Sequence, residues 1–291
     1  MITRYLLFLF IFVLFPSWAL ACDNEAACIE EAKWSVGIAI GVGARTNPLV
    51  DGNSIPLVLL PDLAFYDEHV YFDNGELGYQ WNTKSHTTTS LFLRPSVERA
   101  FFSFWDPANI LIPSAAISDG NVPPSTPYPP DGEQGNEPRY ISLDEISHRD
   151  WTLDTGVRVS WVRDSSDWSL TLAHDALGVY SGYSIEGQYQ HYFHWGDWRL
   201  AANVMVTYKN NRLINYYYGI DQSDTDDESL WYQAPHSFQV STGLFASKPI
   251  NAQWRWLTRL QITAFDSGMS DSPLVSKRHI VNAFVGIGYR F

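Results

Sequence analysis

The sequence predicts an all-β fold, a transmembrane antiparallel β-barrel. Three observations predict it: segments of about ten residues alternate apolar and polar side chains, the connections between them are alternately short and long, and tryptophans collect near the segment ends. Strands of about 9 to 11 residues suit a tilted crossing of a bilayer. Short periplasmic turns and longer extracellular loops are the usual layout of an outer-membrane barrel, and aromatic side chains are enriched at both of its membrane interfaces.

The first 21 residues predict an export signal that is removed. Arg4 precedes an apolar run, 5–15, and the run is followed by Ala19-Leu20-Ala21, an A-x-A processing site. The run is too short to cross a membrane as a helix, which takes about 20 apolar residues. We therefore expect a periplasmic N-terminal segment at 22–32, followed by a barrel over 33–291 in the outer membrane of a Gram-negative bacterium.

The alternation assigns a face to each side chain. In 151–163, Trp151, Val157 and Trp161 share one face while Asp154 and Arg158 share the other. We expect the apolar face to contact lipid and the polar face to line the interior.

The same pattern predicts twelve strands, an even number, so that both termini of the chain lie on the periplasmic side. A hairpin on Asn74-Gly75 joins two of the shorter ones, and the count falls to ten if that hairpin lies outside the wall. The expected strands are 33–45, 55–66, 69–73, 76–82, 86–97, 151–163, 167–175, 182–193, 197–208, 237–248, 252–265 and 279–291.

The final strand ends on aromatic residues, Tyr289 and Phe291, which share the lipid-facing side. In hydrocarbon the backbone groups of a spanning strand must be paired, so this strand is expected to close the wall against the first one. An aromatic C-terminal end also suits recognition by the barrel assembly machinery.

The interior is expected to carry charge. Two interpretations remain open: an anion-favouring pore lining, or a narrow barrel filled by its own paired side chains, and we favour the second. Gly37, Gly41 and Gly43 also face inward and would make room for larger neighbours. The candidate lumen residues are Arg94, Asp154, Arg158, Glu186, Arg199, Arg255, Arg259 and Arg290.

No enzyme site is predicted. His191 falls on the lipid-facing side of its strand and Ser184 on the opposite side, so they cannot form the hydrogen bond that a nucleophile and its base require. The acidic run 221–229 has carboxylates that suit Ca²⁺ or Mg²⁺ but lacks the spacing of an EF-hand, and a solvated loop is the favoured interpretation. We expect no metal and no cofactor.

The net charge bears on the possible partners, and the two cysteines bear on a possible disulfide. The formal net charge of −13 argues against a nucleic-acid partner. Cys22 and Cys28 could form a disulfide in an oxidising compartment, with two free thiols or a lipid on Cys22 as the alternatives.

Three stretches resemble the MipA/OmpV family of outer-membrane proteins: "RTNPLVDGNSIPLVLLPDLAFYDEHVYFDNGELGYQW", "HDALGVYSGYSIEGQYQHYF" through "INYYYGID", and "SPLVSKRHIVNAFVGIGYRF". The resemblance implies a non-enzymatic barrel, and for one member a scaffold that holds a lytic transglycosylase beside a murein synthase. It offers no catalytic residues to transfer. The sequence departs from the family in a long Pro-rich insertion at 98–150, expected to be an extracellular loop.

Three functions follow as hypotheses. The first is an envelope scaffold that binds murein-processing enzymes, in contact with outer-membrane lipid and lipopolysaccharide. The second is a narrow, porin-like channel for small solutes. The third is a surface adhesin that acts through the 98–150 loop.

Overall fold

The structure is a computed structural model that describes residues 32–84, 86–103, 106–110 and 139–291. The strands form one antiparallel sheet whose first and last members pair, so the sheet closes into a barrel. They are β1 (Lys33–Arg45), β2 (Ile55–Pro56), β3 (Leu59–Tyr66), β4 (Val70–Asp73), β5 (Glu76–Lys84), β6 (Thr87–Pro95), β7 (Leu153–Arg163), β8 (Ser166–Asp175), β9 (Tyr183–Trp195), β10 (Trp198–Lys209), β11 (Ser237–Pro249), β12 (Trp254–Phe265) and β13 (His279–Arg290).

Short helices lie between strands at the end where the long connections are. They are α1 (Pro107–Ile110), α2 (Asn211–Tyr218) and α3 (Ser267–Ser270), with 3-10 turns at Glu98–Phe101 and Glu228–Leu230. Among the described residues, no helix is both long enough and apolar enough to cross a membrane.

The wall has twelve strands because β2 and β3 form one interrupted strand beside β1. Ala44 pairs with Pro56 and Ile40 with Leu59, so the register changes by one residue between the two pairings. Such a change is a β-bulge. Gly41 lies at the bulge, where a Cβ atom would stand 2.2 Å from the Val285 carbonyl oxygen.

The hairpin on Asn74-Gly75 belongs to the wall, so twelve strands is correct and ten is not. β4 pairs with β3 on one side and with β5 on the other. Asn74 has φ of 44° and Gly75 has φ of 96°, as a two-residue hairpin requires. The Asn74 side chain also accepts a hydrogen bond from the Leu63 backbone N–H at 2.9 Å, which satisfies a donor at the edge of β3 just above the short β4.

The C-terminal strand completes the cylinder. β13 pairs with β1 from Gly37–Arg290 to Arg45–Asn282, and the Phe291 N–H donates to the Val36 carbonyl oxygen at 2.9 Å. Closure leaves no free sheet edge at this seam, which a lipid environment requires.

The outer face is apolar and its rim is aromatic, as the alternation predicts. Val42 and Val285 are 83% and 53% exposed at mid-wall, a position that only a lipid-facing side chain tolerates. Trp168, Trp195 and Trp254 are exposed beside the short turns. The observed strand ends differ from the expected ones by one or two residues, apart from the β2–β3 interruption.

Candidate functional site

The five long connections meet at one end of the barrel and form a compact structure that we call the loop cap. It comprises the described residues of 46–54, 96–152, 176–182, 210–236 and 266–278, and lies at the extracellular end by the usual orientation of such barrels. Its core side chains are buried: Leu49, Phe101, Ile141, Tyr180, Leu213, Ile214, Tyr217, Tyr218, Ile220, Ala234, Met269, Leu274 and Val275, beside Phe265 and Ile280 of the wall.

Helix α2 supplies the centre of this core. Asn210 caps it by accepting a hydrogen bond from the Leu213 N–H at 3.2 Å, a favoured N-cap interaction. The helix buries Leu213, Ile214, Tyr217 and Tyr218, the i, i+1, i+4 and i+5 positions that share one helical face. Sequence analysis predicted no element between the strands 197–208 and 237–248, so it missed this helix.

A buried ion pair fastens two of the loops together. Arg149 donates to both carboxylate oxygens of Asp224, at 3.1 and 3.2 Å, and to the Gly219 carbonyl oxygen at 3.2 Å. Ser147 adds a hydroxyl bond to Asp224 at 2.6 Å. Burial alone would raise the pKa of the Asp224 carboxyl, but the Arg149 and Ser147 bonds outweigh it and the pKa is lowered.

A second buried pair joins the cap to the barrel. Lys209, at the top of β10, donates to Glu98, and the Tyr218 hydroxyl donates to the same carboxylate at 2.7 Å. Burial, together with this carboxylate, raises the pKa of the Tyr218 phenol. The cap is therefore held to the wall by a charged anchor as well as by apolar packing.

Inside the barrel, Glu76 gathers two of the predicted lumen arginines. Arg158 binds it through two hydrogen bonds, at 2.6 and 2.9 Å, and Arg94 lies 3.7 Å away. The Tyr71 hydroxyl donates to Glu76 at 2.7 Å, and both guanidinium groups lie over the Phe92 ring. We call these residues the Glu76 cluster.

The two carboxylates among the candidate lumen residues lie outside the Glu76 cluster. Asp154 is buried and accepts a hydrogen bond from the Tyr180 hydroxyl of the cap at 2.5 Å. Glu186 is half-buried on the inner face of β9 and acts on Arg158 only electrostatically. Glu76 was missed as a candidate; its inward parity, following the Asn74-Gly75 turn, was the available signal.

The remaining predicted arginines lie on the other side of the lumen. Arg199, Arg255, Arg259 and Arg290 are on the inner faces of β10, β12 and β13, and each is half-buried. Arg259 donates to Gln261 Oε1 at 2.9 Å. The structure thus separates the predicted set into a clustered pair, two carboxylates and a group of four arginines.

Apolar side chains fill part of the same lumen. Their members are Ala39, Ile55, Leu57, Leu60, Phe245, Leu257 and Phe284. The Phe284 ring occupies the space over two glycines, since a Cβ atom on Gly41 or Gly286 would stand 2.7 Å from its Cζ atom.

His191 has a partner that sequence reasoning did not identify. Its Nδ1 lies 2.8 Å from Ser166 Oγ across the β8–β9 pairing, and the Tyr189 hydroxyl lies 3.3 Å from the same oxygen. In the described ranges no carboxylate contacts His191, and strand N–H groups are engaged in the ladder, so the arrangement lacks both an orienting acid and an oxyanion site.

The acidic run 221–229 forms no metal site in the described part of the chain. The described residues contain no group of three potential metal ligands. In the 221–229 run, Asp221 and Asp227 accept bonds from Ser223 and Ser229, and Asp224 belongs to the cap. Cys22 and Cys28 lie outside the described residues.

Comparisons with known proteins agree with this architecture. Two curated relatives, outer membrane protein Omp26La of Vibrio anguillarum and outer membrane protein OmpV of Vibrio cholerae, are each 23% identical over 150 residues. Those matches cover 52% of this chain and 58% of each relative, so less than two thirds of either relative is matched.

Solved structures give more distant likenesses. The outer membrane channel DcaP of Acinetobacter baumannii is 7% identical with a TM-score of 0.37, over 89% of this chain and 95% of that one. An outer membrane channel from Pseudomonas putida F1 is 9% identical with a TM-score of 0.33, over 92% and 98%. These values are too low to bear on function.

The family comparison covers nearly the whole barrel. The family described as MltA-interacting protein MipA matches residues 36–291, from the third residue after the start of β1 to the C-terminal phenylalanine. With its closed twelve-stranded wall and the curated outer-membrane relatives, the chain belongs to the MipA family of outer-membrane proteins.

Proposed function

We propose that this barrel is a non-enzymatic, non-conducting scaffold of the cell envelope, which holds murein-processing enzymes at its periplasmic side. The observation that carries the proposal is the loop cap, whose thirteen described buried apolar residues pack with Phe265 and Ile280 of the wall across one end of the cylinder. A packed apolar core in this position would obstruct the passage of solutes through a pore. A murein-processing partner is supported by the family's description as MltA-interacting, and the pairing of a lytic transglycosylase with a murein synthase follows from the resemblance given above.

The contents of the lumen support the same interpretation. Glu76 is buried and bound by Arg158 through two hydrogen bonds, and the apolar group around Phe284 fills part of the lumen. Buried charges that pair with each other stabilise a fixed interior rather than a hydrated path.

The periplasmic rim offers a small docking surface. The turn at 194–197 exposes Trp195, and the turn at 249–253 exposes Ile250. An exposed tryptophan such as Trp195 is among the anchors that protein interfaces favour. Because the turns are short, we expect the docking surface to include the 22–32 segment as well.

Site-specific photo-crosslinking in intact cells tests the proposal. A photoreactive residue at Gly196 or Asn251 should capture a murein-processing enzyme, and one at Ser223 of the cap, an exposed position on the opposite end, should not. Absence of any murein enzyme from the periplasmic positions, or equal capture from the cap, would overturn the scaffold.

A narrow channel is the second candidate, favoured by the four arginines on one side of the lumen. If it conducts, planar bilayers should show stable current steps that Arg255→Ala or Arg259→Ala alters. Silent bilayers with correctly folded protein would leave the scaffold as the better account.

A further inference from the structure

The inner wall formed by β10, β11, β12, β13 and β1 is basic. These five neighbouring strands contain no Asp or Glu. Acidic strand residues lie on the other side, in β3, β4, β5 and β7 to β9. The inward basic residues of the wall are Lys33, which is exposed at the start of β1, and Arg45, Arg199, Lys209, Arg255, Arg259 and Arg290.

Within this wall the guanidinium group of Arg259 combines a shielded nitrogen atom with an uncharged partner. Its Nη1 atom is shielded from solvent and has no hydrogen-bond partner within the described ranges. Among the residues that the structure describes, its Nη2 atom donates to Gln261 alone, an uncharged amide, at 2.9 Å. The charged neighbour that acts on Arg259 is Arg45, which has the same sign.

Apolar neighbours increase the free-energy cost of an unpaired guanidinium at Arg259. Arg259 pairs in the sheet with Phe245 on one side and Phe284 on the other, and both rings belong to the apolar group of the lumen. An unpaired charge beside such residues loses hydration without a compensating bond. A guanidinium in this position is therefore expected to be neutralised by something that binds.

Arg45 lies above Arg259 and would form the second side of a site that binds an anion. Its guanidinium lies 4.4 Å from the centre of the Phe101 ring and donates to Asn109 Oδ1 at 3.3 Å. These contacts hold Arg45 at the underside of the loop cap. Glu98 lies near enough to act on it electrostatically but is bound to Lys209 and Tyr218.

We propose that the lumen holds a binding site for a small oxyanion, a phosphate, sulfate or carboxylate group, at Arg259 beneath Arg45. A guanidinium presents paired N–H donors that match these groups. The ligand enters from the periplasmic end, because the loop cap covers the other. The site is independent of the docking surface proposed above, since its residues face inward.

Thermal unfolding of the purified full chain in detergent tests the site, with inorganic phosphate as the probe and chloride at matched ionic strength as the comparison. A ligand that binds only the folded protein raises its melting temperature in a saturable way. We expect phosphate, and not chloride, to do so. Arg259→Gln should weaken the apparent phosphate affinity at least fivefold, and Arg259→Lys should retain part of it.

Arg163→Gln is the matched control, because Arg163 is an exposed arginine at the 164–165 turn and its loss should leave the phosphate response unchanged. The proposal is overturned if the wild-type protein shows no saturable response to phosphate, or if Arg259→Gln responds as the wild type does. If Arg259→Gln does not fold, Arg259→Lys decides: a wild-type affinity in that variant also overturns the specific guanidinium site.

Discussion

Removing the carboxylate of Glu76 tests whether the lumen is held together by charge. Glu76→Ala leaves the guanidinium groups of Arg158 and Arg94 without their shared partner, which is otherwise 2.6 Å from one and 3.7 Å from the other. Breaking a buried pair from one side costs about 3 to 5 kcal/mol. We expect a loss in that range.

The reverse substitution should cost less. Arg158→Ala leaves Glu76 with Arg94 and with the Tyr71 hydroxyl at 2.7 Å, so the carboxylate keeps two partners. The double variant Glu76→Ala/Arg158→Ala should then be more stable than the sum of the single effects indicates, because the second substitution removes one of the stranded charges. Residues of one network show interaction energies of about 0.5 to 3 kcal/mol in such cycles.

Equilibrium unfolding in urea from lipid vesicles, followed by tryptophan fluorescence, measures these values. Glu68→Ala is the control, since the Glu68 side chain is 82% exposed at a short turn, and surface substitutions change stability by about 0.5 kcal/mol or less. Additive single and double effects would refute the network, as would equal losses at Glu76 and Glu68.

The remaining predictions concern the cap and the wall. The pKa of Asp224 is lowered in the folded protein. Its ion pair therefore stabilises the cap fully above the usual aspartate pKa, and this stabilisation is lost as pH falls through the lower folded pKa. Proteolysis of the cap should rise at acid pH, and Asp224→Asn should show the same rise at neutral pH. Phe284→Ala should cost about 3 to 5 kcal/mol in the same urea assay, since it empties a packed site, and an unchanged midpoint would contradict the packing. Gly41→Val should prevent closure of the wall because its Cβ atom would stand 2.2 Å from the Val285 carbonyl oxygen, whereas the Cβ atom of Gly187→Ala would have no atom within 4 Å. Heat-modifiable gel mobility distinguishes closed from open barrels. Closure in both variants would refute the clash.

The wall was predictable because a strand in a bilayer obeys a local rule. Period-two alternation sets the face of each residue without knowledge of its neighbours, and it put Arg158 and Asp154 on the inner side before any contact was known. The Asn74-Gly75 turn likewise located β4 and β5. What alternation could not decide was whether this hairpin joined the wall, because that depends on pairing with β3.

The interior contacts were less predictable because they cross the lumen. Glu76 and Arg158 are 82 positions apart in sequence, and β5 reaches β7 only across β6, so no local pattern links them. The Ser166–His191 contact depends on the register of β8 against β9 across the 176–182 loop. In contrast, α2 carried a readable signal: an Asn cap followed by apolar residues at helical spacing.

The sources of the loop cap have a consequence for biogenesis. Its core takes residues from Leu49 near one end of the chain to Leu274 near the other, and its anchor joins Glu98 to Lys209. Because no partial barrel contains all of these residues, the loop cap can complete its packing only after the cylinder has formed. A fully packed loop cap therefore marks a molecule whose wall is complete.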